Sequence, residues 1–194
     1  MTGKNKWIIA LVMLGIFGVI VVEGVVNPRI EAKQSQYEAE QQDPLVHDFA
    51  TLAKYRSAYM GDFSNLSHLN QALPLNGQLN GYQLVPETFT AQINYRMNTS
   101  EMKSEELERI LVYNAAANFV WIDNLEHVLY SFEDVQYTLS REAAQQWAGT
   151  ELKTLQEPEE WDTLVRKKLV EPAQVNEAFS QIVDNSAGSK IRKR

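Results

Sequence analysis

The first 26 residues have no hydrophobic period; beyond them the chain alternates between a period near 3.6 and a period of two. Residues 7–22, WIIALVMLGIFGVIVV, are sixteen positions without a charge. In a helix they span about 24 Å, and carrying on to Val26 gives about 30 Å, near the thickness of a bilayer core. Glu23 falls at the helix end, where it can reach the headgroups. Lys4 and Lys6 precede the run and favour a cytoplasmic N-terminus (residues 1–6) with the bulk of the chain outside. A single-pass anchor over residues 7–26 is expected; a cleaved signal peptide, with Val22-Glu23-Gly24 as its cut, is the alternative.

Residues 27–43 are polar and rich in Gln and Glu, with no apolar face, and read as a solvated stalk that is helical or flexible. A domain is expected over residues 44–152. Pro44 opens a helical pattern at Leu45, Phe49, Leu52 and Ala53, and His47 within it is expected to face solvent. Gly61-Asp62 reads as a turn, and Ser64 as the N-cap of a short helix buried through Leu66, Leu69 and Leu73. Tyr82 to Val85 is a strand, and Pro86-Glu87-Thr88 a turn. Residues 89–97 then alternate Phe89, Ala91, Ile93, Tyr95 and Met97 against polar neighbours, which predicts a half-buried strand and a hairpin.

Ser104 is placed to cap a long helix with Glu105, Glu106 and Glu108 in its first turn, where the helix dipole favours acids. Leu107, Ile110, Leu111, Asn114, Ala117, Asn118 and Trp121 share its broad buried face. Strands follow at residues 126–132 and 135–139 around a Glu133-Asp134 turn. Ser140 caps a short helix over residues 141–148, and Gly149 stops it. Residues 153–183 are a C-terminal helical segment: an amphipathic helix over residues 158–169 with Trp161, Leu164, Val165 and Leu169 on one face, and another turn or two of helix over residues 172–183. The last stretch, residues 184–194, is a basic tail expected to be disordered.

Composition adjusts this picture in three ways. Apolar residues make up 44% of the chain, enough for a packed core. Residues 31–189 hold eleven Lys/Arg against twenty-four Asp/Glu, a balance of −13 that disfavours a nucleic-acid partner. Cysteine is absent, which excludes disulfides, thiol catalysis and cysteine-ligated metal.

Candidate chemistry is sparse. Asp123, Glu126 and His127 suggest an acid/base or metal cluster, but His47, His68 and His127 lie in unrelated segments, and a helix end explains the rest. Glu133 and Asp134 are neighbouring carboxylates at a hairpin tip, which cannot flank a glycosidic bond from both sides. No nucleophile elbow or phosphate loop is present. No catalytic residue, metal site or cofactor is expected. The candidate ligand-binding residues are Tyr55, Tyr59, Asp62 and Asn65, an aromatic and polar cluster around a turn. Asn114 and Asn118 join them, although buried amides at those positions bond first to nearby backbone.

The segments YRSAYMGDFSN, INYRM, NAAANFVWIDNLEHVLYSF and YTLSREAAQQW arrive in an order that resembles the domain-of-unknown-function family 4825 over residues 47–150. That resemblance implies a membrane- or lipid-anchored protein of Gram-positive bacteria; in that family similar domains also occur appended to antirepressor-type, antibiotic-sensing metallopeptidases of the membrane. This chain has neither a lipobox cysteine nor HExxH, so peptidase activity does not carry over. The expected fold is α+β, an antiparallel sheet of about four strands with helices on one face. The expected role is a non-enzymatic ligand-binding or sensing module of the cell envelope. The alternatives are an assembly protein contacting another membrane protein and, last, an envelope hydrolase.

Overall fold

The computed structural model describes residues 27–183, and within it the chain divides after Glu40 into two units. In the first unit the described part is one helix, α1 (Asn27–Glu40). Its polar side chains are exposed almost throughout, and Gln34 and Gln36 bond to Glu38 and Glu40 one turn on. No helix among the described residues is long and apolar enough to cross a membrane. The expected anchor at residues 7–26 and the basic tail at 184–194 lie outside the described residues.

The second unit is an α+β domain. A 3-10 segment (Phe49–Tyr55) leads to α2 (Phe63–Ala72), then to the strands β1 (Leu79–Val85) and β2 (Thr90–Tyr95). The long helix α3 (Ser104–Trp121) follows, then β3 (His127–Ser131), β4 (Gln136–Ser140) and α4 (Arg141–Ala148). The C-terminal part comprises α5 (Pro158–Trp161), drawn out through looser and tighter turns to Leu169, and α6 (Pro172–Ile182).

The sheet order is β1-β2-β3-β4. The predicted hairpin is present: β1 pairs antiparallel with β2, with Tyr82 opposite Ile93. The expectation of a wholly antiparallel sheet is corrected, because β2 and β3 run parallel, with Ile93 opposite Tyr130. The cause is α3. It carries the chain back to the starting end of the sheet, and such a helical crossover restores the strand direction. β3 and β4 are again antiparallel.

One sheet face carries Ala91, Ile93, Val128, Tyr130 and Leu139, all fully buried under the helices. The other alternates Gln83, Gln92, Asn94, Leu129, Gln136 and Thr138, half-buried or exposed, and is rich in amides and hydroxyls. From Ile110 to Trp121 every residue of α3 is buried, so this helix is the centre of the domain rather than an amphipathic cover. The core runs past residue 152 without a break: Trp161, Val165, Leu169, Val175, Ala178 and Ile182 are fully buried. Trp161 stacks on Phe49, ring centroids 3.8 Å apart.

Several local expectations change. His47 does not face solvent; it is 1% exposed, with Nδ1 2.9 Å from the Tyr113 hydroxyl and Nε2 2.8 Å from the Ala72 carbonyl. The helical pattern opened at Pro44 resolves into turns and the short 3-10 segment instead of an α-helix. Asp62, not Ser64, caps α2, its carboxylate accepting from the Asn65 N–H. Ser104 is the first helical residue of α3, one place after the cap, and its hydroxyl donates to Glu108. Phe89 breaks the period-two alternation. It takes a left-handed backbone (φ 47°), is exposed, and its carbonyl accepts from both Glu126 and His127 N–H groups, which docks the start of β3.

Candidate functional site

The loop holding Tyr55 and Tyr59 is fixed to the end of α3. The Ser57 N–H donates to the Trp121 carbonyl, and the Asp123 N–H donates back to Ser57. Asn124 Oδ1 accepts from the Met60 N–H at 2.6 Å, and Arg56 faces Asp123 at 3.8 Å. Asp123 and Asn124 therefore brace this loop. Tyr55 stacks on His68 at 6.0 Å, with the Lys54 ammonium 4.9 Å from its ring. Tyr59 is exposed and joins Asp62 through the backbone, while Asp62 accepts from both the N–H and the side-chain amide of Asn65. Tyr55 and Asp62 are thus each tied to α2, and the carboxylate of Asp62 is engaged in capping.

Asn114 and Asn118 are somewhere else: fully buried in α3 and bonded to α2 and the residues just after it. Asn118 exchanges hydrogen bonds with Asn70, and the Asn114 amide donates to the Pro74 carbonyl. Asn114 Oδ1 has no hydrogen-bond partner among the described residues. The Tyr95 hydroxyl lies against this side chain; burial pushes its ionisation up, and Asn114 opposes that shift. The structure thus separates the six sequence candidates into four partly or fully exposed residues and a core pair.

A concave site exists at a third place, which sequence reasoning did not single out. It is a cleft of about 260 Å³ lined by Thr99, Ser100, Met102, Ser104, Leu107, Glu108, Tyr137 and Phe179. Its walls are built from four parts of the chain. The 3-10 turn at Thr99–Glu101 is shaped by a reciprocal capping box between Asn98 and Glu101. Asp134 holds that turn from the β3–β4 connection, accepting from the Thr99 N–H at 2.9 Å and its hydroxyl at 2.7 Å. Glu133 accepts from Asn98 beside it. The two hairpin carboxylates are turn clamps facing the same neighbour segment.

The first turn of α3 supplies Ser104 and Glu108, and β4 supplies Tyr137. Phe179 comes from α6, whose buried face (Val175, Ala178, Ile182) seats the helix on the core. Val183 pairs with Leu139 and pins the end of α6 to the outer edge of β4. Tyr137 and Phe179 meet edge to face, 5.3 Å apart at 73°. Burial raises the Tyr137 hydroxyl's pKa, and the charges of Asp134 and Glu108 raise it further. For Asp134 partial desolvation works upward, but the two hydrogen bonds from Thr99 outweigh it and hold the carboxyl below its ordinary value.

The arrangement offers hydroxyls, the Glu108 carboxylate and two rings around a space open to solvent, with Asp134 behind the Thr99 wall. Among the described residues no group of three His, Cys, Asp or Glu is disposed to hold a metal. Neither the chain order nor any motif announces this cleft. The available signal was Phe179, a large ring off the buried stripe of its helix; Glu108, expected with the acids of the first turn, lies beyond them, and the first turn holds Glu105 and Glu106 alone.

A family model described as "Domain of unknown function (DUF4825)" matches residues 52–158. No curated protein and no solved structure matches the chain. The matched segment contains α2 through α4 and every wall of the cleft except Phe179.

Proposed function

The chain belongs to the DUF4825 domain family, and from that premise we propose that it is a non-enzymatic ligand-binding or sensing module of the bacterial cell envelope. In this reading residues 7–26 hold the domain on the outer side of the cytoplasmic membrane and α1 is the stalk. The cleft between α3, β4 and α6 is the observation that carries the reading. It brings polar and aromatic side chains from segments up to 80 residues apart onto one concavity. An acidic domain tethered at a bilayer surface meets envelope ligands and membrane proteins at raised effective concentration.

The test is a titration of the purified full-length protein with wall fragments, antibiotics and envelope peptides, followed by thermal unfolding. A ligand at a hundred times its Kd stabilises by about 2.7 kcal/mol, a rise in Tm of about 5–10 °C for a domain of this size. The rise should be lost in Phe179→Ala. No stabilisation by any of them would overturn the reading. Protease accessibility on intact cells, with the N-terminal mass of the mature protein, tests the topology.

The second reading, an assembly protein, is favoured by one feature. Among the described residues β1 pairs on one side only, and its sequence LNGYQLV carries no charge to discourage an added strand. A stoichiometric membrane-protein partner in pull-downs, lost on placing a lysine at Gln83, would favour this reading over small-ligand sensing.

A further inference from the structure

We propose that the cleft takes a small organic cation, its ammonium group seated at Glu108 and its apolar body against Tyr137 and Phe179. This rests on the reading of the chain as a binding module. Two carboxylates define the polar end: Glu108 lines the cleft, and Asp134 stands behind its Thr99 wall. Both act on the Tyr137 hydroxyl, so their charges converge on one wall. Neither forms an ion pair among the described residues, where the four salt bridges involve other acids. Ser104 donates to Oε1 of Glu108, and among the described residues no hydrogen bond reaches Oε2.

The nearby cations are otherwise placed. Arg109 donates to the Leu169 carbonyl and to Glu105, and Lys103 is the exposed residue before α3. The positive end of α3 pulls the other way, toward an anion. Its effect is about half a charge, and Glu105 and Glu106 already sit in that first turn. A full carboxylate inside the cleft outweighs it, and the surplus of acid over the domain repels anions at longer range.

The apolar end follows from Met102, Leu107 and the two rings, which give a cation both a hydrophobic wall and aromatic faces. The volume of about 260 Å³ falls just below the usual 300–1,000 Å³ of small-molecule sites, so the body is of single-ring size.

Phenethylammonium is the probe, with 2-phenylethanol and 3-phenylpropionate as neutral and anionic analogues of similar shape. The full-length chain is labelled at its methionine methyls. Met102 reports the cleft, while Met60 and Met97, each 4% exposed, report the core. The expected result is a saturable shift of Met102 with the ammonium compound alone, Met60 and Met97 standing still. Glu108→Gln keeps the Ser104 bond and removes the charge, so it should weaken binding about tenfold, equivalent to about 1.4 kcal/mol, with the core methyls unchanged. Equal binding of the alcohol, or preference for the acid, would overturn the cation assignment while leaving a binding cleft. No response of Met102 to the ammonium probe overturns it too. The envelope-ligand titration then decides separately whether the binding reading survives.

Discussion

Asn70 and Asn118 bond to each other through both arms of their amides, at 2.9 and 3.0 Å, and so join α2 to α3 inside the core. Each also donates to a carbonyl one turn back on its own helix, Leu66 and Asn114. Removing one partner strands a buried amide, which costs the desolvation of its donors and acceptor. Asn118→Ala should therefore lower stability by about 2–4 kcal/mol in urea unfolding. The double variant with Asn70→Leu should cost less than the sum of the single changes, because no amide is then left unpaired. Additive costs would show that the pair is not acting as a unit.

Arg141 closes the C-terminal end of α3 from outside that helix. Its guanidinium donates to the carbonyls of Phe119, Ile122 and Leu125, at 2.8, 2.6 and 2.6 Å. The last carbonyls of a helix have no partner of their own and carry its negative end, so a cation there satisfies both needs. Arg141→Ala should cost about 2–3 kcal/mol in the same measurement. Arg141→Lys should recover only part, since one ammonium cannot span three carbonyls in the plane a guanidinium does.

These two residues mark the limits of the sequence. Local signals were legible at several places where one segment satisfies itself: the buried Leu66, Leu69 and Leu73 in and just after α2, the β1–β2 hairpin, and the Ser140 cap whose hydroxyl accepts from Ala143. Arg141 read only as the first residue of a helix, because the carbonyls it serves lie some twenty positions earlier. The parallel β2–β3 pairing was missed for a related reason, as strand direction depends on where α3 returns the chain. The cleft was illegible because Thr99, Tyr137 and Phe179 meet only after that return. Asn114 and Asn118 were legible as unusual, and their partners on α2 and at Pro74 were not.

Asp134 should tie the Thr99 turn to the hairpin in a pH-dependent way. Its carboxyl is held below the ordinary value, so the contribution is complete above the unfolded-state pKa and is lost as pH falls through the folded value. Amide exchange of Thr99 should rise relative to neighbouring amides when the pH is taken below about 4. Asp134→Ala should raise it at neutral pH as well, because both bonds from Thr99 then lack an acceptor. A Thr99 amide unaffected by the substitution would remove Asp134 from the architecture of the cleft.

His47 gives a pH dependence of the same sign from a different cause. The Ala72 carbonyl can only accept, so the neutral ring carries its proton on Nε2, and Nδ1 accepts from the Tyr113 hydroxyl. Arg166 reinforces the site by donating to the His47 carbonyl. Burial lowers the pKa of His47, the bond to Ala72 raises it, the charge of Arg166 lowers it and that of Asp48 raises it, with a net fall. The unfolded chain then binds a proton more readily than the folded one. Stability is full well above the ordinary value of about 6.5 and declines as pH falls through it toward the lower folded value. Thermal or urea unfolding between pH 8 and 5 should show that decline. His47→Gln can still donate to Ala72 and accept from Tyr113. It should be less stable at neutral pH by about 1–3 kcal/mol, yet lose less on acidification. An equal decline in the variant would assign the acid sensitivity to other groups.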